Sequence, residues 1–339
     1  MRTTLCDKLG IAIPIIQAPM GGTGFVTQLA AAVCNAGGLG TLHLWRADPE
    51  TVRSHIQELR SLTDKPFAVN LNLAFPQEER LEACLRERVP IISFFWGDPG
   101  DLVSRAKAGG AIVMHTVGSA KDAQASVERG VDVIVAQGWE AGGHVRGTVA
   151  TMALLPAVVD AISPVPVVAA GGIADGRGMA AALALGAAGV WIGTRFLASA
   201  EVRLHPHYRE RLLQASEEDT VYLEGLYDIG WPHAPHRVLR NAVVSAWESA
   251  GRPAAGERPG EGDIVASSKS LGEVVRYRVF MATADVEGDI EALPMWAGQG
   301  VGLVRKIMPA AEIVHEIDTE AGAILQRLAT TGTTQAQGT

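Results

Sequence analysis

The stretch "VVAAGGIADGRGMAAALALGAAGVWIGTRF", residues 167–196, decides the fold. It contains two short apolar runs, each followed by glycine, and an alanine-rich segment between them that is long enough for one helix. Continuous apolar runs, as opposed to alternating ones, are typical of strands covered on both faces. The stretch therefore predicts two parallel strands connected by a helix, with glycine turns at the carboxyl ends of the strands.

The same unit recurs along the first two hundred residues. Eight apolar runs are predicted strands, at 14–20, 38–42, 67–73, 91–95, 112–117, 133–138, 167–172 and 190–196. A helix is predicted in each gap, and one has a clear start signal, with Asp48 as N-cap and Pro49 at the first helical position. This alternation predicts an α/β fold of the (β/α)8 TIM-barrel type. An open doubly wound sheet is the main alternative, but its G-x-G-x-x-G fingerprint is absent.

The alternation of strands and helices stops near residue 200. The next segment contains a helix-like stretch, an aromatic and turn-rich part, and a loop rich in glycine and proline at 248–263. We interpret 200–294 as a smaller, mostly helical cap inserted after the eighth strand, and we assign 1–199 and 295–328 to the barrel. The polar segment 329–339 is predicted to be a disordered tail.

Composition narrows the classes of partner. The chain of 339 residues carries a formal net charge of −8, and no cluster of lysine and arginine is interleaved with aromatic residues, which argues against nucleic acid and anionic membranes. No run of apolar residues is long enough to span a bilayer. Cys6, Cys34 and Cys84 show no C-x-x-C spacing, and the first residues lack the apolar stretch of a signal peptide, so we expect a cytoplasmic protein. The sequence leaves a homodimer open.

In a TIM barrel the active site lies where the strands end at their carboxyl termini. At those positions this sequence has "APMGG" (18–22), the amides Asn70, Asn72 and Gln137, and glycine turns, with few acids. That set favours a flat, hydrogen-bonding, anionic organic cofactor over a metal. The turns after the seventh and eighth strands, at Gly171–Gly172 and Gly193–Thr194, together predict a phosphate cradle. Taken singly, each could be a tight turn that needs glycine for a positive φ.

His144 lies in "QGWEAGGHVRG" (137–147), directly after two glycines. Its backbone can approach a ring closely while the imidazole projects over it, and an imidazole can take a proton from a carbon acid or stabilise an anion. The alternative is a solvated surface histidine. Trp139, Glu140 and Arg146 receive no role, and His43 and His115 are left as pocket or packing residues. The remaining histidines match no compact zinc pattern, so no metal is predicted.

A set of motifs resembles the nitronate monooxygenases, a family of FMN-dependent TIM-barrel enzymes. The motifs are "PIIQAPMGG", "VNLN", "VAQGWEAGGH", the stretch at 167–197 and "AGQGVGL", and the resemblance covers residues 10–310. It implies FMN as the cofactor and His144 as the catalytic residue. The residues it places at the cofactor are Ala18, Pro19, Met20, Gly21, Asn70, Gln137, Gly142, Gly143, Gly171, Gly172, Ile192, Gly193 and Thr194.

The reaction implied by the resemblance is oxidation of an alkyl nitronate, such as propionate-3-nitronate, with O2 to an aldehyde or ketone plus nitrite. His144 would orient the anionic nitronate, or act as base toward a neutral nitroalkane. The same barrel also resembles flavin-dependent enoyl-acyl-carrier-protein reductases and certain NADH:quinone reductases. An alternative of another class is a non-catalytic barrel that binds a phosphorylated ligand.

Overall fold

Eight parallel strands form the central sheet of the computed structural model, which describes residues 1–21, 26–269 and 271–335. In chain order they are β1 (Ile15–Gln17), β2 (Thr41–His43), β3 (Ala68–Asn72), β4 (Ile91–Phe95), β5 (Ile112–Val117), β6 (Val133–Gln137), β8 (Val167–Ala170) and β9 (Gly189–Ile192). Their order in the sheet is β1-β9-β8-β6-β5-β4-β3-β2. The chain just before β2 closes the ring, because Leu39 N donates to Ile15 O and Leu39 O accepts from Gln17 N, both at 2.9 Å. The predicted α/β TIM barrel is confirmed. The short strand β7 (Gly143–His144) belongs to a second sheet.

Helices surround the barrel and follow the predicted positions. Asp48 caps one of them, since its side chain accepts from Thr51 N at 2.9 Å and Pro49 follows it at the first helical position. Val52, Ile56 and Leu59 on that helix are buried, which gives it one apolar face toward the strands. The helices up to residue 197 are α1 (Thr4–Leu9), α2 (Val26–Asn35), α3 (Pro49–Leu62), α4 (Glu78–Arg86), α5 (Leu102–Ala108), α6 (Ala120–Glu128), α7 (Thr151–Ile162), α8 (Gly176–Ala184) and α9 (Thr194–Leu197).

The segment 200–294 mixes helices and strands, whereas the sequence pattern predicts a mostly helical cap. Its elements are α10 (Pro206–Gln214), β10 (Thr220–Leu223), β11 (His236–Leu239), α11 (Ala242–Ser249), β12 (Ile264–Ser268), β13 (Gly272–Val275) and β14 (Glu287–Gly288), with 3-10 turns at Glu217–Asp219 and Ile290–Ala292. The strands are short and pair antiparallel in two small sheets, and β11 pairs with β7 of the barrel loop. Strands of two to five residues carry too few positions for a period-two pattern to be visible. The limits of the cap as a domain stay a prediction.

A long helix, α12 (Ala310–Gln335), follows a 3-10 turn at Gln299–Leu303 and packs on the barrel helices. Glu320 on α12 accepts a hydrogen bond from Gly176 N at the start of α8, at 2.8 Å. The helix continues through Gln335, into the segment predicted to be a disordered tail, and 336–339 lie outside the described residues. Within the described parts of the chain, no helix has the length and apolarity needed to cross a membrane.

Candidate active site

A cavity of about 430 Å³ opens at the carboxyl ends of the barrel strands. Its size lies in the range of small-molecule sites. The predicted site residues that line it are Ala18, Pro19, Met20, Gly21, Asn70, Gln137, Gly142, Gly143, His144, Gly171, Gly172, Gly193 and Thr194. Ile192 does not line it: its side chain is buried in the core, and its carbonyl accepts from Ala18 N at 2.8 Å. Ile192 thus supports the turn after β1 from behind.

The cap holds His144 in place. The two-residue strand β7 pairs antiparallel with β11, which sets His144 opposite His236. The imidazole stacks on Trp231 with ring centroids 3.8 Å apart, and Trp296 lies 5.2 Å away. Nε2 of His144 is buried and has no hydrogen-bond partner among the described residues. An unpartnered buried nitrogen of this kind is available to a ligand.

His144 is surrounded by positive and neutral groups. Burial lowers the pKa of His144 well below its usual value, and His236, Arg46 and His43 act in the same direction. Burial also lowers the pKa of His43 and that of His236, each to about 4. All three imidazoles are therefore uncharged near pH 7, and His144 is present in the form that accepts a proton.

Amide side chains supply further unpaired groups at the cavity wall. Gln137 donates from Nε2 to His144 O at 3.0 Å, and its buried Oε1 has no partner among the described residues. Asn72 Nδ2 is likewise buried and unpartnered there. Asn70 donates from Nδ2 to Ser93 O at 3.2 Å. A free acceptor and a free donor on strands of the same barrel match a ligand whose edges carry both kinds of group.

The glycine turns after β8 and β9 keep backbone amides available. Gly171 and Gly172 have φ of +106° and +71°, the left-handed region that glycine adopts without strain. The amide nitrogens of Gly172 and Gly193 donate to no residue that the structure describes. Thr194 Oγ1 accepts from Gly298 N at 3.0 Å, which ties the second turn to the downstream "AGQGVGL" segment. The two turns lie side by side because β8 and β9 are neighbours in the sheet.

Three residues without a predicted role hold the loop 137–147, here called the His144 loop, in place. Glu140 accepts from Thr151 N at 2.9 Å and so caps α7. The guanidinium of Arg237 donates to Trp139 O at 3.0 Å and lies 4.6 Å from the centroid of the Trp139 ring. Arg146 donates to Gly97 O at 3.1 Å. The loop is therefore fixed on both sides.

Several residues that the sequence left open now have positions. His43 lines the cavity and accepts from Trp45 Nε1, whereas His115 lies within the barrel wall, with Nδ1 2.8 Å from Ser126 Oγ. The stacking of Trp231 on His144 has no local sequence signal, because the two residues come from different parts of the chain. The same holds for Arg46 and Arg278, which line the cavity.

The comparison with known families agrees with this geometry. A family model described as nitronate monooxygenase matches residues 2–79 and 69–320. The chain belongs to the nitronate monooxygenase family. It is therefore an oxidoreductase of that family, and the resemblance found in the sequence is confirmed.

Proteins similar to this chain are named for different activities. The chain is 40% identical over 255 residues to a Mycobacterium tuberculosis protein named (3aS,4S,5R,7aS)-5-hydroxy-7a-methyl-1-oxo-octahydro-1H-indene-4-carboxyl-CoA dehydrogenase, covering 74% of this chain and 70% of the relative. It is 31% identical over 376 residues to a nitronate monooxygenase of Paraburkholderia phytofirmans, covering 96% and 97%.

The solved structures that are similar to this chain also carry different names. FabK from Thermotoga maritima superimposes with a TM-score of 0.81 at 35% identity, covering 98% of this chain and 99% of that chain. A nitroalkane oxidase from Streptomyces ansochromogenes superimposes with a TM-score of 0.79 at 28% identity, covering 96% and 99%. The fold is thus common to proteins that carry different names.

Proposed function

We propose that this enzyme oxidises alkyl nitronates with O2 to an aldehyde or ketone plus nitrite, with FMN as its cofactor and His144 facing the substrate. One observation supports this proposal most directly. The uncharged imidazole of His144 lines the cavity with its Nε2 unpartnered, and the glycine turns with free backbone amides line the same cavity. Family membership supports the same reaction.

The residues at the cavity fit FMN. The free amides of the turns at Gly171–Gly172 and Gly193–Thr194 would hold its phosphate, since backbone N–H groups beside a helix start favour an anion. Gln137 Oε1, Asn70 and the backbone at Ala18–Gly21 would meet the polar edges of its ring system. When bound, FMN supplies the electron transfer that no side chain in the cavity can perform.

The protein contributes position and proton chemistry at His144. An alkyl nitronate is already an anion, so toward it the uncharged imidazole of His144 would orient the substrate by donating a hydrogen bond from Nε2–H. A neutral nitroalkane must first lose its α-proton, and in the other tautomer of the imidazole the unprotonated Nε2 would accept it. Trp231 and Trp296 pack around the imidazole and limit access of water to it.

The test measures oxygen uptake with propionate-3-nitronate against NADH oxidation with an enoyl thioester or a quinone. Oxygen uptake with release of nitrite is the expected result. A thioester oxidoreductase is the second candidate, because the chain is 40% identical to a CoA-thioester dehydrogenase and 35% identical to FabK. Fast NADH turnover without nitronate oxidation would overturn the first choice. Protein that takes up no FMN on reconstitution would instead favour a non-catalytic barrel.

The pH profile of kcat/KM should not show the fall below about pH 6.5 that protonation of a histidine base usually causes. Because burial lowers the pKa of His144 well below its ordinary value, the base stays unprotonated as the pH falls through the normal range of histidine. We expect kcat/KM on a neutral nitroalkane to stay within about twofold between roughly pH 7.5 and 5.5. A tenfold fall centred near pH 6.5 would contradict the burial of the imidazole in the working enzyme.

The phosphate cradle predicts a charge effect at Gly172. A Cβ there would have ordinary contact distances, with Glu140 Cβ nearest at 3.8 Å, so the side chain itself fits. Asp and Asn both tolerate the left-handed φ, and only Asp adds a negative charge next to the phosphate. We expect Gly172→Asp to weaken FMN binding by about 100-fold or more, and Gly172→Asn by about tenfold or less. Titration of the apoprotein with FMN, followed by flavin fluorescence, measures both, and equal losses would argue against the cradle.

A further inference from the structure

The cavity has an unbalanced charge at its mouth. Among the described residues that line it, the only charged side chains are Arg46, which follows β2, and Arg278, which follows β13 in the cap. No carboxylate of the described residues forms an ion pair with either guanidinium, and no aspartate or glutamate lines the cavity. This local excess of positive charge stands out in a chain with a formal net charge of −8.

Both arginines are held on the same short segment of the cap. Arg46 donates from Nη2 to Gly230 O at 2.7 Å, and its Cζ lies 4.4 Å from the centroid of the Trp45 ring. The backbone of Arg278 forms a bridge with Ile229, the residue before Gly230. One hydrogen bond uses only part of the Arg46 guanidinium, which has five N–H donors in all, so donors remain for a ligand.

The two cations lie close enough to disfavour each other. Burial, and next the positive charge of Arg278, lower the pKa of Arg46. Arg46 is also one of the charges that lower the pKa of His144, so the arginines at the cavity and the His144 imidazole interact electrostatically. Placing two like charges together without counter-charge is unfavourable, and an anion bound between them would remove that penalty.

We propose that Arg46 and Arg278 bind an anionic group of the substrate that is remote from the reacting carbon. They would thereby determine specificity for substrates that have such a group. The guanidinium fork matches the paired oxygens of a carboxylate or a phosphate. A carboxylate would come from a small nitronate with a second acidic group, and a phosphate from a larger carrier such as coenzyme A. The inference rests on the proposed function, because it assigns the substrate's second contact in the same cavity.

Kinetics on the FMN-loaded enzyme test the carboxylate. We compare KM for propionate-3-nitronate with KM for propyl-1-nitronate, which lacks the carboxylate. In Arg278→Gln we expect KM for the first to rise about 10- to 100-fold and KM for the second to change less than about twofold. Arg276→Gln is the matched control, since it makes the same change of charge two residues away and Arg276 does not line the cavity. Equal changes for both nitronates in Arg278→Gln would overturn the proposal.

A binding measurement separates this inference from the reaction itself. Trp45, Trp231 and Trp296 line the cavity, so their fluorescence reports binding of succinate or of coenzyme A without turnover. If no nitronate is oxidised, the proposed function fails, yet binding of either probe that is lost in Arg278→Gln and in Arg46→Gln still supports the subsite. Tighter binding of coenzyme A than of succinate would identify phosphate as the preferred group. Binding that is absent in the unmodified enzyme, or that is unchanged in both variants, overturns the inference.

Discussion

We expect His144→Ala to lower turnover of a neutral nitroalkane by about two to four orders of magnitude, the usual contribution of a general base. The physical reason is that no other unpaired base faces that part of the cavity among the described residues. His43 lines the cavity, but its Nε2 accepts a hydrogen bond from Trp45 Nε1. His236 packs near His144 but does not line the cavity.

A pair of substrates separates the base from a positioning role. A nitronate has already lost its α-proton, so we expect His144→Ala to lower its turnover by only about tenfold, the cost of one hydrogen bond to a charged group. FMN content, measured by absorbance, should stay at one equivalent per chain, because the turns proposed to hold the phosphate, at Gly171–Gly172 and Gly193–Thr194, lie on other loops. His315→Ala is the control, since His315 is exposed on α12. Equal losses on nitroalkane and nitronate would assign His144 to orientation alone.

The barrel could be predicted because its signals are local. Each strand is an apolar run of a few residues, and some helices begin at a residue that marks the boundary, such as Asp48 at α3. The carboxyl ends of parallel strands meet at one end of a barrel, so strand-end residues such as Gln137 and Gly171 could be grouped without knowing any contact. The structure brings them to one cavity.

The contacts that hold the site could not be predicted, because they join residues far apart in sequence. His144 is set by pairing with His236 and by stacking on Trp231, and Arg237 reaches back to Trp139 O. The strands that carry these residues are too short to show a period. Ile192 is predicted at the cofactor but does not line the cavity. Successive side chains of a strand point to opposite faces, and the side chain of Ile192 points into the core.

Gly142→Ala should lower both the stability and the activity of the enzyme. A Cβ on Gly142 would lie 2.3 Å from Gly298 N and 2.5 Å from Ala297 C, and both are backbone atoms that cannot rotate away. We expect the free energy of unfolding to fall by about 3 kcal/mol or more. The displaced loop also carries His144, so turnover on nitronate should fall by about 100-fold. Urea denaturation and oxygen uptake measure the two effects.

The neighbouring glycine supplies a matched comparison. Gly143 has φ of +73°, and a Cβ added to it would meet no atom within 4 Å beyond its two chain neighbours, so Gly143→Ala meets backbone strain but no clash. Its cost should be only about 1–2 kcal/mol. A Gly142→Ala variant as stable as Gly143→Ala would mean that segment 297–298 can move away. If the larger loss is observed, Gly142 is required by close contact with the "AGQGVGL" segment, and this contact explains why two motifs far apart in sequence belong to one site.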